Sequence, residues 1–191
     1  MLRRSFLGLL VLLGVRPAVA GDMESAALWR RLEAGGHVVL MRHAATVPGV
    51  GDPASFKLGA CATQRNLSDA GRADAKRIGT AFREHAVPVS QVLSSRWCRC
   101  VDTAQLAFGR VRPEQMVDSM FNDDEAARKM KVRALRNYLT SHKEPGNLVL
   151  VTHDINIRVL VDESLSQGEM VVALAQPDGS LKSLGVLPLP K

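Results

Sequence analysis

The sequence has little of what marks several classes of protein. It has three cysteines among 191 residues, which excludes a small scaffold held together by many disulfides. After residue 20 it has no long uncharged apolar run, which excludes a polytopic membrane protein. It has no block of five basic residues and no internal repeat. What is present is an ordinary globular composition, with 46% apolar and 23% charged residues.

The first 20 residues are predicted to be a secretory signal peptide. Arg3 and Arg4 precede an apolar run over 6–15, and Ala-Val-Ala at 18–20 has the small residues of a cleavage site. The run is too short for a spanning helix, which needs about 20 residues. We therefore expect an exported protein, periplasmic or secreted, with no stable membrane span after cleavage. An uncleaved anchor is the alternative, and the paired arginines leave the twin-arginine export route open.

Residues 21–191 are predicted to form a single domain, because no Pro-, Gly- or Ser-rich stretch is long enough to divide them. Removing the three arginines of residues 1–20 reduces the formal net charge from +6 to +3. So mild a charge does not indicate a nucleic-acid partner, and it is compatible with a small anionic substrate.

The three cysteines are expected to meet oxidising conditions in an exported chain. Cys98 and Cys100 are two residues apart on a predicted helix, so their side chains point about 200° apart. We expect one of them to pair with Cys61 and the other to be a buried thiol, with three free thiols as the alternative. Zinc is not expected here, because C-x-C without a nearby histidine pair lacks the usual ligand spacing.

Strands and helices are predicted to alternate along the chain. Continuous apolar runs are typical of strands buried on both faces, and helical spacing of apolar residues marks the segments between them. This alternation predicts an α/β fold, a three-layer α/β/α sandwich whose mostly parallel sheet carries an antiparallel edge hairpin. The predicted strands are 37–42, 89–93 and 147–152, the helices 23–35, 68–85, 97–108, 123–141 and 155–165, and the hairpin 170–186.

Polar side chains follow each of the three buried strands. Ligands bind beyond the carboxyl ends of the strands in such a sheet, so these residues are expected to meet in one crevice. The other three histidines lack this placement and are interpreted as surface or capping residues. The clusters are Arg42-His43, then Ser94-Ser95-Arg96 with Arg99, and finally His153-Asp154.

Two histidines and several arginines in one pocket favour phosphoryl transfer. Arginine binds phosphate oxygens in a bidentate way and neutralises charge on a transferring phosphoryl group. A histidine with a free ring nitrogen can attack phosphorus and form a covalent intermediate. No metal or other cofactor is required, since the arginines supply the positive charge. Zinc held by His43, His153 and Asp154 is the alternative, which the neighbouring arginines disfavour by repulsion.

Four segments in order resemble the histidine phosphatase (phosphoglycerate mutase-like) superfamily. Residues 40–46, LMRHAAT, are similar to its R-H-G-x-T signature, with alanine in place of glycine. Residues 67–75, LSDAGRADA, are similar to its L-[ST]-x-x-G-x-x-Q-A helix start. Residues 92–104 resemble its S-S-x-x-x-R-x-x-x-T-A segment, and 151–154 stand where the family has its second histidine.

The resemblance implies a role for each matching residue. His43 would be the phosphorylated nucleophile, and His153 would be the second catalytic histidine. Arg42, Arg99 and Thr46 would form the phosphate-binding set, Thr46 by helping to hold the loop beside the phosphate. Arg96 does not align with the family's arginine and is expected at the rim.

The resemblance leaves the general acid open. One branch of the family uses an aspartate directly after the second histidine, in an H-D-x-N pattern that His153-Asp154-Ile155-Asn156 matches. Another branch uses a glutamate between the second strand and the last histidine, for which Asp123, Asp124 and Glu125 are the candidates. The third alternative is no protein acid at all, as in members that act on good leaving groups.

The function implied is a metal-independent, exported phosphomonoesterase that hydrolyses phosphate esters of a small substrate through a phosphohistidine. An exported relative of this family acts on phosphate groups of the lipopolysaccharide core, so a cell-envelope phosphate is the candidate substrate. The alternative is a non-catalytic phosphate-binding module of the same fold.

Overall fold

The computed structural model describes residues 17–191. Residues 1–16 of the predicted signal peptide lie outside the described residues, so the signal peptide stays a prediction. Within residues 17–191, no helix combines the length and the apolar character that crossing a membrane requires.

Six strands form one sheet in the order β3-β2-β4-β1-β5-β6. The first four of these run parallel, and β5 and β6 form an antiparallel hairpin at one edge. This confirms the predicted α/β class and the edge hairpin. The strands are β1 Val38–Arg42, β2 Val89–Ser94, β3 Arg112–Pro113, β4 Asn147–Thr152, β5 Met170–Ala175 and β6 Leu181–Leu187, and the helices are α1 Pro17–Ala34, α2 Asp69–Glu84, α3 Cys98–Phe108, α4 Glu125–Ser141 and α5 Asp154–Val161.

The two faces of the sheet bury two separate apolar clusters. On β1, Val39 and Met41 pack with residues of α1, α2 and α3, whereas Val38 and Leu40 pack with residues of α4 and α5. Side chains alternate between the faces of a strand, so a strand covered on both sides must be apolar at every position. The continuous apolar run of β1 follows from this three-layer arrangement.

Some element boundaries differ from the predicted ones. The Ser68 cap of α2 is confirmed, since its Oγ accepts a hydrogen bond from the Gly71 amide at 3.1 Å. Helix α5, predicted over 155–165, ends at Val161, because Asp162 takes a left-handed conformation with φ 58°. Helix α4 begins after Asp124, whose carboxylate caps it. Strand β3 has two residues and no apolar pattern by which to predict it.

Two glycines bring α2 against its neighbours. A Cβ at Gly71 would lie 1.8 Å from the Ala45 carbonyl oxygen, and one at Gly79 would lie 2.0 Å from that of Ala107. Both distances are far below van der Waals contact, so only glycine permits these approaches. Helix α2 is therefore held both to the loop that follows β1 and to α3.

A disulfide joins the loop after β1 to the start of α3. Cys61 is bonded to Cys98, and Cys100 is a buried thiol. The predicted pattern of one bridge and one buried thiol is confirmed. Burial raises the pKa of the Cys100 thiol to about 12, so this sulfur is neutral and chemically quiet.

Candidate active site

Two histidines lie side by side at the carboxyl ends of adjacent strands. Strands β1 and β4 pair in parallel with Arg42 opposite Thr152, so His43 and His153 are the next residues on each. The His43 amide donates to the Thr152 carbonyl at 3.0 Å, which extends the ladder by one step. The two ring centroids are 5.5 Å apart, and both side chains are buried.

His43 has the tautomer that a nucleophile needs. Its Nδ1 lies 2.9 Å from the Ala44 carbonyl oxygen, which can only accept, so Nδ1 carries the proton and Nε2 has a free lone pair. The pKa of His43 is lowered to about 3, first by burial and then by the positive charges of Arg99, Arg42 and Arg65, while the hydrogen bond to Ala44 acts in the opposite direction. The ring is therefore neutral, and hence nucleophilic, at neutral pH.

His153 is oriented by a relay of polar side chains. Ser95 Oγ lies 3.4 Å from the buried Asp118 carboxylate, to which it donates, and 2.9 Å from His153 Nε2. The serine oxygen then accepts the Nε2 proton, which leaves Nδ1 for a ligand. Burial, followed by the proximity of His43, holds the pKa of His153 well below its usual value. Arg96 lies beside this relay, bound to Asp118 and half-exposed, as expected for a rim residue.

Three arginines concentrate positive charge beside the histidines. Arg42 and Arg99 are the two predicted from the sequence, and both act on the pKa of His43 and of His153. Arg65 was missed by the sequence reasoning, yet its charge also acts on His43. Burial, followed by the charge of Arg99, lowers the pKa of Arg65. The Nε atoms of all three arginines are buried and have no hydrogen-bond partner among the described residues.

Asp52 ties this arginine cluster to the long loop after β1. Its Oδ1 accepts hydrogen bonds from Arg99 Nη1 at 2.8 Å and from the Arg65 amide at 3.0 Å, and its Oδ2 accepts one from Trp97 Nε1 at 3.0 Å. Although burial raises the pKa of Asp52, these partners hold it below its ordinary value. One carboxylate offsets part of the charge of three arginines, so an oxyanion is the ligand that suits the remaining unpaired donors.

The loop after His43 is fixed by two threonines. Thr103 Oγ1 accepts from the Ala44 amide at 3.1 Å and donates to the Arg99 carbonyl at 2.6 Å, so it joins both catalytic segments. Thr46 forms a backbone bridge with Leu67 and accepts from Gln167 Nε2 at 3.2 Å. These contacts of Thr46 hold the loop.

Asp154 accepts hydrogen bonds that favour its ionised form. Its Oδ1 accepts from the Leu165 amide at 2.8 Å, and its Oδ2 accepts from Arg158 Nε at 3.0 Å. Although burial raises the pKa of Asp154, these bonds and the charge of Arg42 hold it below its ordinary value. Leu165 in turn accepts a hydrogen bond from Arg42 through its carbonyl. The geometry thus suits a residue that positions Arg42 better than one that donates a proton.

The other three candidate acids have partners on or next to α4. Asp123 lies 2.7 Å from Lys131 Nζ, and Asp124 caps the helix by accepting from the Ala127 amide at 2.8 Å. Glu125 is largely exposed and pairs with Lys129 at 2.5 Å. The contacts of Asp124 and Glu125 are confined to the start of α4, whereas the charge of Lys131, the partner of Asp123, also acts on the pKa of His153.

Comparison with known proteins identifies the family. The sequence profile of the histidine phosphatase superfamily (branch 1) matches residues 38–124, which include His43, Arg65 and Arg99. The matched segment, residues 38–124, belongs to the histidine phosphatase superfamily. No curated protein sequence matches it closely enough to count as a relative.

Solved structures of other proteins have the same fold. The protein histidine phosphatase SixA, solved with tungstate, has a TM-score of 0.56 at 12% identity over 80% of this chain and 96% of its own. Phosphoglycerate mutase from Thermus thermophilus has a TM-score of 0.56 at 18% identity, over 80% of this chain and 99% of its own. A phosphoserine phosphatase mutant from Entamoeba histolytica, in complex with phosphoserine, has a TM-score of 0.54 at 14% identity, over 78% of this chain and 95% of its own.

Two residues of this candidate site were missed by the sequence analysis. Asp52 and Arg65 lie in a loop without periodicity, and their roles depend on contacts with α3. Arg65 could have been found from its place three residues before the Ser68 cap, where the loop returns to the motif. No comparable signal marks Asp52. Within residues 17–191, no group of three or more His, Cys, Asp or Glu side chains is placed to hold a metal ion.

Proposed function

We propose that the protein is a metal-independent phosphatase that hydrolyses phosphate monoesters through a phosphohistidine at His43. The observation that carries this proposal is the pairing of a neutral, correctly tautomeric His43 with three arginines whose buried Nε donors lack partners. A nucleophile beside a preorganised set of cationic donors is the arrangement that phosphoryl transfer requires.

In the first step, His43 Nε2 attacks phosphorus while the bond from phosphorus to the ester oxygen breaks. Arg42, Arg65 and Arg99 stabilise the negative charge on the phosphoryl oxygens in the transition state. The departing oxygen takes its proton from water. Asp154 acts in this scheme by holding the Leu165 segment that binds Arg42.

In the second step, water attacks the phosphohistidine and displaces His43, which leaves as the neutral imidazole. His153 Nδ1 accepts a proton from the attacking water, since the Ser95 relay holds the other ring nitrogen as a donor. The proton returns to solvent as inorganic phosphate departs, and both histidines recover their starting states.

We further propose that the protein is exported and acts on a phosphate of the cell envelope, such as one on the lipopolysaccharide core. The signal peptide expected at residues 1–20 supports export. The Cys61–Cys98 disulfide also supports it, since such bridges persist in oxidising compartments.

The test is phosphate release from an aryl phosphate by the purified protein, with and without chelator, beside His43→Ala. His85→Ala is the matched control, because that exposed histidine pairs with Glu33 away from the site. We expect chelator-resistant activity that disappears in His43→Ala alone and a phosphohistidine that can be trapped by rapid denaturation. Activity that survives His43→Ala would refute the proposal.

Tungstate binding separates an enzyme from a binding module. If calorimetry shows that the protein binds tungstate through Arg99 but releases no phosphate from any ester, the non-catalytic phosphate-binding module replaces the phosphatase. We expect both binding and turnover.

A further inference from the structure

Four aromatic rings form a row that begins at the nucleophile. The His43 and His153 centroids are 5.5 Å apart, those of His153 and Trp97 are 5.6 Å apart, and those of Trp97 and Phe56 are 5.7 Å apart. Both histidines are buried, whereas Trp97 and Phe56 are half-buried. The row therefore leads from the reacting centre to the surface.

Trp97 is fixed to the same carboxylate as a phosphate-binding arginine. Asp52 accepts the indole N–H at its Oδ2 and the Arg99 guanidinium at its Oδ1. One carboxylate therefore holds the indole close to the guanidinium of Arg99. Trp97 also stands only two residues before Arg99 in the chain, at the cap of α3.

The attack geometry directs the leaving group along this row. In phosphoryl transfer the leaving oxygen departs on the side opposite the attacking atom, here His43 Nε2. His153 is the ring next to His43, and Trp97 is the next ring after His153, edge-on to it at 81°. A leaving group that extends past His153 therefore meets the indole, and next the ring of Phe56, tilted by 32° from it.

We propose that Trp97 and Phe56 form the leaving-group subsite, and that it takes a ring with a flat apolar face, either an aromatic ring or a sugar. This inference rests on the proposed phosphatase function. Indole and phenyl faces offer broad, rigid apolar surface, which favours a ring over a flexible chain because a ring loses less conformational freedom on binding.

The experiment compares three esters, phenyl phosphate, glucose 6-phosphate and glycerol 3-phosphate, in the wild type and in Trp97→Leu. Taking the ratio of variant to wild-type kcat/KM for each ester cancels the chemistry of the leaving group. We expect the ratio to fall about threefold to tenfold for a ring-bearing ester and less than twofold for glycerol 3-phosphate. A fall for phenyl phosphate alone indicates an aromatic substrate, and a fall for glucose 6-phosphate alone indicates a sugar.

Two further variants separate stacking from folding. Trp97→Phe keeps a ring but loses the bond to Asp52, so it should keep most of the preference for ring-bearing esters. Phe121→Leu alters an exposed aromatic side chain outside the row and should change no ratio. Equal ratios for all three esters in Trp97→Leu would overturn the subsite.

Binding of phosphonates distinguishes failure of the subsite from failure of the proposed function. Phenylphosphonate should bind the wild type more tightly than methylphosphonate, and Trp97→Leu should abolish the difference. If this holds but no ester is hydrolysed, the phosphatase is refuted and the subsite stands. If esters are hydrolysed but the two phosphonates bind alike, the subsite is refuted and the phosphatase stands.

Discussion

Removing the Cys61–Cys98 disulfide is expected to cost about 4 kcal/mol of unfolding free energy. The two cysteines are 37 residues apart, and the loop-closure entropy that the bridge removes from the unfolded chain grows with the logarithm of that length. The cost is a large part of the roughly 5–15 kcal/mol that stabilises a typical domain. For a chain of this size it corresponds to a fall of about 8–16 °C in Tm.

Urea unfolding of the Cys61→Ser/Cys98→Ser double variant measures this cost. Adding a reductant to the wild type should reproduce most of it, and adding one to the double variant should change nothing. Cys100→Ser is the matched control, because it removes a buried thiol without touching the bridge. Its unfolding should show the same response to reductant as the wild type.

The Cys61→Ser/Cys98→Ser double variant also tests whether the disulfide helps to position the arginines of the site. Cys98 directly precedes Arg99, and its amide donates to the Gln64 side chain at 3.0 Å, next to Arg65. Loosening this junction should raise KM for an aryl phosphate more than it lowers kcat. A double variant that unfolds within about 1 kcal/mol of the wild type, with or without reductant, would refute the reasoning from loop length.

Three further outcomes follow from the packing and charges of the site. Gly79→Ala should lower the free energy of unfolding by about 1–3 kcal/mol, because its Cβ meets the Ala107 carbonyl. Gly21→Ala is the control: its Cβ meets nothing and alanine favours helix α1, so it should not lower stability. Equal melting curves for Gly79→Ala and the wild type would contradict this. Lowering the pH from 7 to 4 should reduce the free energy of unfolding by about 3 kcal/mol through His43. The pKa of His43 is about 3 in the folded protein and 6.5 in the unfolded chain, so the unfolded chain binds the proton first. In urea unfolding, His43→Gln should lose less stability over this pH range. Asp154→Asn should lower kcat by less than about tenfold, because the carboxylate is ionised and positions Arg42 through Leu165. A thousandfold loss of kcat with a shifted pH profile would instead make Asp154 the proton donor.

The elements that the sequence predicts best are those with a local cause. Strand β4 matches its predicted bounds, because a strand buried on both faces must be apolar throughout. The start of α2 was predicted from Ser68, whose hydroxyl caps the helix within three residues of the chain. The meeting of His43 and His153 followed from strand order, since residues after adjacent parallel strands share one edge of the sheet.

The parts that could not be predicted have causes distant in sequence. Asp52 contacts Arg99, which is 47 residues later in the sequence, and no residue spacing within the loop after β1 predicts that contact. Arg65 takes part in the pocket because the same loop returns to α3. The early end of α5 depends on Asp162, a non-glycine residue in a left-handed conformation that composition does not favour.

The spacing of the two histidines has a consequence for how this site can diversify. Because His43 and His153 extend paired strands, the backbone hydrogen bonds of the sheet set the spacing between them. Insertions or deletions in the loop after β1 can therefore alter the mouth of the pocket while the reacting centre keeps its dimensions. If the protein is the proposed phosphatase, exchanging this loop with that of a relative should change substrate preference and leave the spacing of the two histidines unchanged.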